Sequence, residues 1–299
     1  MFFMLSGFII SHVYAGRLAV FSWRGYAVFL WHRFARLYPV HAVMLLVLVA
    51  AIAGMQALGV APNHPENWRP EHLPWQFLML HAWGPVEAAS WNTPSWSISA
   101  EFLAYLAFPM VLVALRSVKA AGGAASVAGA LLIGLAAMFT SFGWGLSSSW
   151  IGGPAILRVL VEFTVGCLLY RIHRATPSPS LAWDWCGFGA ALALVLAALM
   201  RASDFLLLAL IALFVLAAAS PAGWLKHALE ARALVFVGRV SYSLYMIHYL
   251  FVLAFNRALI ALAPVAIGPI SYVAMLIAFS AIVIAGAAFM FRFVEQPAR

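Results

Sequence analysis

A succession of long apolar runs constrains this chain more than any other feature. Split at charge clusters and at Pro/Gly punctuation, the sequence leaves nine such segments: 1–14, 37–60, 96–115, 123–143, 154–170, 185–200, 205–219, 237–260 and 269–291. A helix needs about 20 apolar residues to cross a bilayer. Only helices and closed barrels satisfy every backbone N–H and C=O inside lipid. Runs of spanning or near-spanning length predict an all-α fold, a polytopic transmembrane helical bundle. A tenth, shorter stretch, 73–83, bounded by Pro74 and Pro85, reads as a re-entrant or interfacial segment. No internal repeat and no long linker divides the chain, which predicts a single domain over 1–299.

Composition excludes the alternatives. Hydrophobic residues make up 66% of the 299 and charged residues 9%, against about 25% charged in an ordinary soluble domain. A soluble fold would lack the polar surface to cover itself, and disorder requires low hydrophobicity. The net charge of +8 would suggest nucleic acid on a soluble protein. Here it reads as the basic bias of cytoplasmic loops, and no nucleic-acid partner is expected. Cys167 and Cys186 lie in apolar runs with neither metal-ligand spacing nor a disulfide framework, so no metal is expected.

The few charges set the orientation. With the first segment ending in the cytoplasm and sides alternating, the cytoplasmic loops hold Arg17, Arg24, Arg33, Arg36, Arg116, Lys119, Arg171, Arg174, Lys226, Arg232, Arg239, Arg292 and Arg299. The opposite side holds Arg69, Arg201 and Arg257, a strong positive-inside asymmetry. Glu66, Glu71 and Glu87 then fall in one external loop, 61–95, rich in Trp and Pro. The first segment is short for a span, and nine spans with an external start are unusual. One further upstream helix, making about nine of ten, restores a cytoplasmic start.

Ionisable residues inside spans are costly and mark functional candidates. Glu101 lies early in the third segment; Arg158 and Glu162 are i,i+4 on the fifth and can pair on one face. Whether that pair is structural or functional stays open. Ser241, Tyr245 and His248 form a polar stripe on one helix face, with helix packing as the competing reading. In Trp31-His32-Arg33-Phe34-Ala35-Arg36-Leu37-Tyr38-Pro39, Arg33 and Arg36 share a face if helical. Two guanidinium groups so placed suit a phosphate or pyrophosphate, or a lipid headgroup. The densest polar run at a membrane boundary is Asn92-Thr93-Pro94-Ser95-Trp96-Ser97-Ile98-Ser99-Ala100-Glu101. A carboxylate shielded from water beside hydroxyls can move protons; a capped helix start is the simpler reading. Phosphate-binding glycine loops, dinucleotide fingerprints and hydrolase or metalloprotease motifs are absent from the sequence.

Five stretches, in order along the chain, give a resemblance: FFMLSGFII (2–10), RFARLYP (33–39), NTPSWSISAEFLAYLAFP (92–109), GRVSYSLYMIH (238–248) and FVEQP (293–297). Together they resemble the acyltransferase family 3 membrane proteins. The resemblance implies a ten-helix enzyme of the bacterial inner membrane that moves an acyl group, often acetyl, from cytoplasmic acyl-CoA to a hydroxyl of a carbohydrate or lipid-linked glycan. No bound cofactor is implied; acyl-CoA is a substrate, and membrane lipid the remaining partner. Arg33 and Arg36 match the family's donor-binding arginine pair, and Trp96, Ser97, Ser99 and Glu101 its tryptophan–serine–glutamate element. With these, Glu101, Ser97, Ser99 and His248 are the expected catalytic residues, Arg33 and Arg36 the donor site, and Asn92, Trp96, Arg158, Glu162 and Tyr245 acceptor-binding or structural. The family's first helix also carries an arginine and, further on, a histidine. Neither His12 nor His41 stands at that position, so the domain is expected to be N-terminally incomplete. An inactive fragment, or a transporter or flippase using Arg158, Glu162, Glu101 and His248, are the alternatives. Trp68, Trp75, Trp83 and Trp91 in the external loop are expected either to stack on sugar faces or to form an interfacial belt.

Overall fold

A computed structural model describes residues 2–18, 20–62, 64–86, 90–145, 152–176, 180–220, 222–262 and 268–299, with backbone alone at 260–262 and 269. Glu87 lies outside the described residues. The helices are α1 (Phe2–Tyr14), α2 (Trp23–Ala57), α3 (Leu73–Phe77), α4 (Trp96–Ala114), α5 (Ala121–Ser141), α6 (Gly152–Ala175), α7 (Leu181–Leu199), α8 (Asp204–Ala218), α9 (Trp224–Leu229), α10 (Arg232–Leu262), α11 (Pro269–Met290) and α12 (Gln296–Ala298). Among the described residues there is no β-sheet. Each of the nine apolar segments falls on a helix. Six helices, α2, α4, α5, α7, α10 and α11, are long and apolar enough to cross a membrane; α1 and α8 are apolar but shorter. Ile133, Leu199 and Ile270 are each more than two-thirds exposed. In water such faces would drive aggregation; in a bilayer they meet lipid, and the chain is a multi-pass membrane protein.

The second segment departs from expectation. Instead of starting at 37 it starts at Trp23 and runs 35 residues, about 50 Å at 1.5 Å per residue. That exceeds the roughly 30 Å hydrocarbon core, so the stretch read as a loop before the span is a helical extension of it. Residues 26–38 contain neither Gly nor Pro to stop it. Pro39 lies inside α2, where its missing N–H removes one rung of the helix. Tyr242 donates to the Leu37 carbonyl at 2.5 Å, adding a hydrogen bond from α10 to the turn that Pro39 weakens.

The chain forms two compact units, each drawn from separate stretches. One comprises 1–31 and 100–231, the other 32–99 and 232–299. In the first, α1 lies directly against α6. A Cβ on Gly7 would sit 2.0 Å from the Phe163 carbonyl oxygen, and one on Gly166 2.0 Å from that of Met4. Both obstacles are backbone, so only glycine permits this approach, the usual device of helix pairs in lipid. Asp184, fully buried on α7, accepts from the amides of Ala222, Gly223 and Leu225 at 2.8–3.2 Å. It thereby satisfies the otherwise open N-terminus of α9.

In the second unit, the 58–95 loop is folded rather than draped. Trp68 and Trp91 are buried, edge to face at 5.7 Å, against Leu45, Leu48 and Ile52 of α2. Trp83 donates its indole N–H to the Ser99 carbonyl at 2.9 Å. Trp68 and Trp91 therefore face neither sugars nor an interface: they are core. Only Trp75 among the four is exposed. Met79 and Trp91 hold left-handed φ of 56° and 50°, a strain of about 1–3 kcal/mol each that this packing sustains. At the end of α11 the helix widens into a π turn, Phe291–Glu295. There the buried Glu295 carboxylate accepts from Ser243 at 2.5 Å and pairs with Arg299.

Candidate active site

Glu101 projects from the second turn of α4 into the first unit and is 2% exposed. A lone carboxylate there would cost several kcal/mol. Ser6 of α1 donates to its Oε1 at 2.6 Å, and Tyr105, one turn further along α4, donates to the same oxygen. The two hydroxyls are 3.1 Å apart, so three oxygens form a closed triangle. Aromatic rings wall it: Phe29 and Phe163 stand edge-on to Tyr105 at 6.0 and 6.1 Å, and Phe108 lies 5.6 Å from Phe29 and 5.9 Å from Phe163. Water is excluded and the hydrogen bonds come from groups able to relay a proton, an arrangement suited to acid–base work. Sequence reasoning found Glu101 and missed both partners. Tyr105 had a signal, its i+4 spacing from Glu101; Ser6 had none beyond its place in a resembling motif.

Arg158 and Glu162 on α6 pair as their spacing predicts, Nε to Oε1 at 2.8 Å, with Glu162 fully buried. The bond satisfies two charges on one helix and points to no ligand by itself.

The remaining candidates lie in the second unit. Arg33 and Arg36 occupy adjacent turns of α2 on one face, both half-buried. Ser97 donates toward the Pro94 carbonyl and Tyr245 Oη, each at 3.1 Å, and Tyr245 donates to Pro94 at 2.9 Å. The structure thus gives Ser97 to Tyr245. His248 lies on the same helix, its Nδ1 2.5 Å from the Tyr245 carbonyl and its ring tilted against that tyrosine at 5.5 Å. Ser241, the third member of the expected stripe, is exposed and bonds its own helix at Gly238. Asn92 donates to the Met246 carbonyl at 3.3 Å. Its own side-chain oxygen is buried and accepts no hydrogen bond. Trp96 is half-buried at the start of α4.

Ser99 is committed to the loop. It donates to the Met79 carbonyl at 2.6 Å and accepts from the Ala82 amide at 3.2 Å. That uses its only proton, so the hydroxyl staples α4 to the loop. Beside it stands a group that the sequence reading did not single out. Ser95 touches His81 Nε2 at 3.0 Å, Gln76 Oε1 at 3.2 Å and the Asn92 carbonyl at 2.6 Å. His41 contacts the Gln76 carbonyl at 2.8 Å and stacks on His81 at 5.9 Å. The Gln76 amide donates to the Ser90 carbonyl at 2.9 Å. Ser95 has one proton and its shortest contact is Asn92, so His81 donates through Nε2. Burial, then the neighbouring His41, push the His81 pKa down to about 3, keeping it neutral. Among the described residues no group of three or more His, Cys, Asp or Glu is arranged to hold a metal ion.

The comparisons with known proteins bear on this geometry. A family model described as an acyltransferase domain matches residues 1–291. Acyltransferase MdmB of Streptomyces mycarofaciens is 28% identical over 278 residues, which cover 83% of this chain and 66% of that protein. The match thus spans just under two thirds of that relative's length. No solved structure matches.

Proposed function

We propose that this chain, which belongs to the acyltransferase family whose domain matches residues 1–291, moves an acyl group, most simply acetyl, from acyl-CoA to a hydroxyl of a carbohydrate or lipid-linked glycan in a bacterial inner membrane. The observation that carries the reading is the buried triangle of Ser6, Glu101 and Tyr105. Two stretches that resemble the acyltransferase family, 2–10 and 92–109, meet there on a single carboxylate. Fold alone would not license the chemistry; a carboxylate held away from water by two hydroxyl donors supports it.

In this reading the acceptor hydroxyl oxygen attacks the thioester carbonyl. Its proton passes to Glu101, the C–S bond breaks, and the thiolate leaves as CoA-SH by taking a proton back through the same carboxylate. Tyr105 and Ser6 hold Glu101 in place and share its charge. Arg33 and Arg36 grip donor phosphates by forked hydrogen bonds. Ser97, Tyr245, His248 and Asn92 position the acceptor, with the open side-chain oxygen of Asn92 ready to accept from a hydroxyl. Arg158 and Glu162 are a structural pair.

The experiment supplies radiolabelled acetyl-CoA and a membrane glycolipid extract to vesicles containing the chain. Label is expected in an alkali-labile ester on the acceptor. Arg33→Ala with Arg36→Ala is expected to raise KM for the donor at least about tenfold, the scale of losing charge-assisted phosphate contacts. Unchanged donor KM would remove the arginine assignment. Label accumulating inside sealed vesicles without a covalent product would overturn acyl transfer in favour of transport.

A further inference from the structure

The C-terminal ends of α1, α4 and α6 come together in the first unit around two adjoining cavities that the Glu101 triangle does not use. One, about 610 Å³, is a mostly apolar trough walled by Leu18, Phe21, Met110 and Val113. The other, about 490 Å³, is edged by Lys119, Arg171 and Arg174. They share Ala15, Leu112 and Arg171, so the apolar trough adjoins the basic end, and Arg116 lies on the trough side. No acidic side chain lines either cavity among the described residues.

The basic residues differ in how they are held. Arg171 spends one terminal nitrogen on the Leu115 and Val118 carbonyls, at 2.5 and 2.7 Å, closing the C-terminus of α4. Its planar fork is thereby fixed with the remaining N–H groups still available as donors. Lys119 and Arg174 are exposed at the rim. Two residues past Lys119, α5 begins at Ala121 with no side-chain cap and no acidic residue in its first turn. Its amides add partial positive charge at the same rim. The site has an apolar arm at one end and a concentration of fixed cations at the other. That is the shape of a ligand with a long uncharged arm and several phosphates.

On the acyl-transfer reading, we infer that this paired cavity is a docking site for the donor, its 3′-phosphate and diphosphate on Lys119, Arg171 and Arg174 and its pantetheine arm in the trough. The proposal rests on the acyl-transfer reading for the identity of the ligand. A phospholipid would also offer an apolar arm and a phosphate. A single headgroup phosphate, however, offers one anionic group to Lys119, Arg171 and Arg174, whereas coenzyme A carries three phosphate groups. The loops bearing these residues are the ones that charge asymmetry assigns to the cytoplasm, where the donor is made.

The test measures equilibrium binding of CoA, dephospho-CoA and pantetheine to the full chain in phosphatidylcholine nanodiscs. The comparison is with Lys119→Ala plus Arg174→Ala, both exposed positions. The variant is expected to weaken CoA at least about tenfold, as loss of two charge-assisted contacts implies, to weaken dephospho-CoA less, and to leave pantetheine unchanged. Equal CoA affinity in both proteins overturns the site. So does wild type that binds no CoA but co-purifies with anionic phospholipid that the variant loses. Binding is read without turnover, so the two proposals fail separately. CoA bound through these residues with no transfer would sink the catalytic reading alone; transfer with an unchanged donor KM in the variant would sink the site alone.

Discussion

Two buried polar clusters can be set side by side. Around Glu101, one charged group is held by two hydroxyl side chains inside an aromatic wall. Around Ser95, the members are neutral, and most of their hydrogen bonds end on backbone carbonyls of the 76–99 segment. On the proposed reading, the difference is one of chemistry against scaffolding. In the Ser95 cluster the side chains bound to backbone fix where the loop goes. A carboxylate that accepts from hydroxyls can change protonation state while its partners rotate. Polar density, the signal visible in 92–101, does not distinguish the two; the partners do.

The sharpest way to break the comparison is Glu101→Gln. The amide is isosteric and still accepts from Ser6 and Tyr105, so the fold is expected to survive while proton transfer is lost. Acyl transfer should fall by about 10²–10⁴-fold, the usual worth of a positioned acid–base group. Turnover and thermal unfolding are measured on the same preparation. Activity within a factor of a few of wild type would make the triangle a structural device like its counterpart.

The sequence reading anticipated much of the helical frame, because each apolar run is long enough to force a helix in lipid. It anticipated the Arg158–Glu162 pair, because i,i+4 spacing on a helix leaves little choice. It placed the start of α2 too late: a change from apolar to basic residues marks the edge of a membrane, not the end of a helix. It took Trp68 and Trp91 for surface residues, because aromatic residues in a polar loop look exposed until the loop is seen to fold back on α2. Ser6 bonds Glu101 across 95 positions, and His41 stacks on His81 across 40, separations over which no local pattern carries information. Glu295 and Asp184 sit at segment ends, where a charge reads as a boundary; only the structure shows both buried.

The second prediction sharpens the other side. Ser95→Ala removes the hydroxyl that joins His81, Gln76 and the Asn92 carbonyl, leaving buried polar atoms unmatched. It is expected to cost about 1–3 kcal/mol of stability, read from unfolding in detergent, while turnover per folded molecule stays within about twofold, inside the range of surface-like changes. A fall in turnover resembling that of Glu101→Gln, with stability intact, would make Ser95 a chemical residue and erase the distinction.

The smallest effect is one of pH. His81 lies in the loop, outside the spanning helices, and its folded pKa is depressed from 6.5 to about 3 by burial first and by His41 second. Between those values the unfolded chain binds a proton that the folded loop refuses. The stability contributed by keeping His81 neutral is therefore complete above pH 6.5 and is lost progressively as pH falls toward 3. His81→Gln should flatten that dependence while lowering stability at every pH, because a glutamine can donate to Ser95 but cannot titrate. If the acid-side slope survives His81→Gln undiminished, the loop network is not the titrating element.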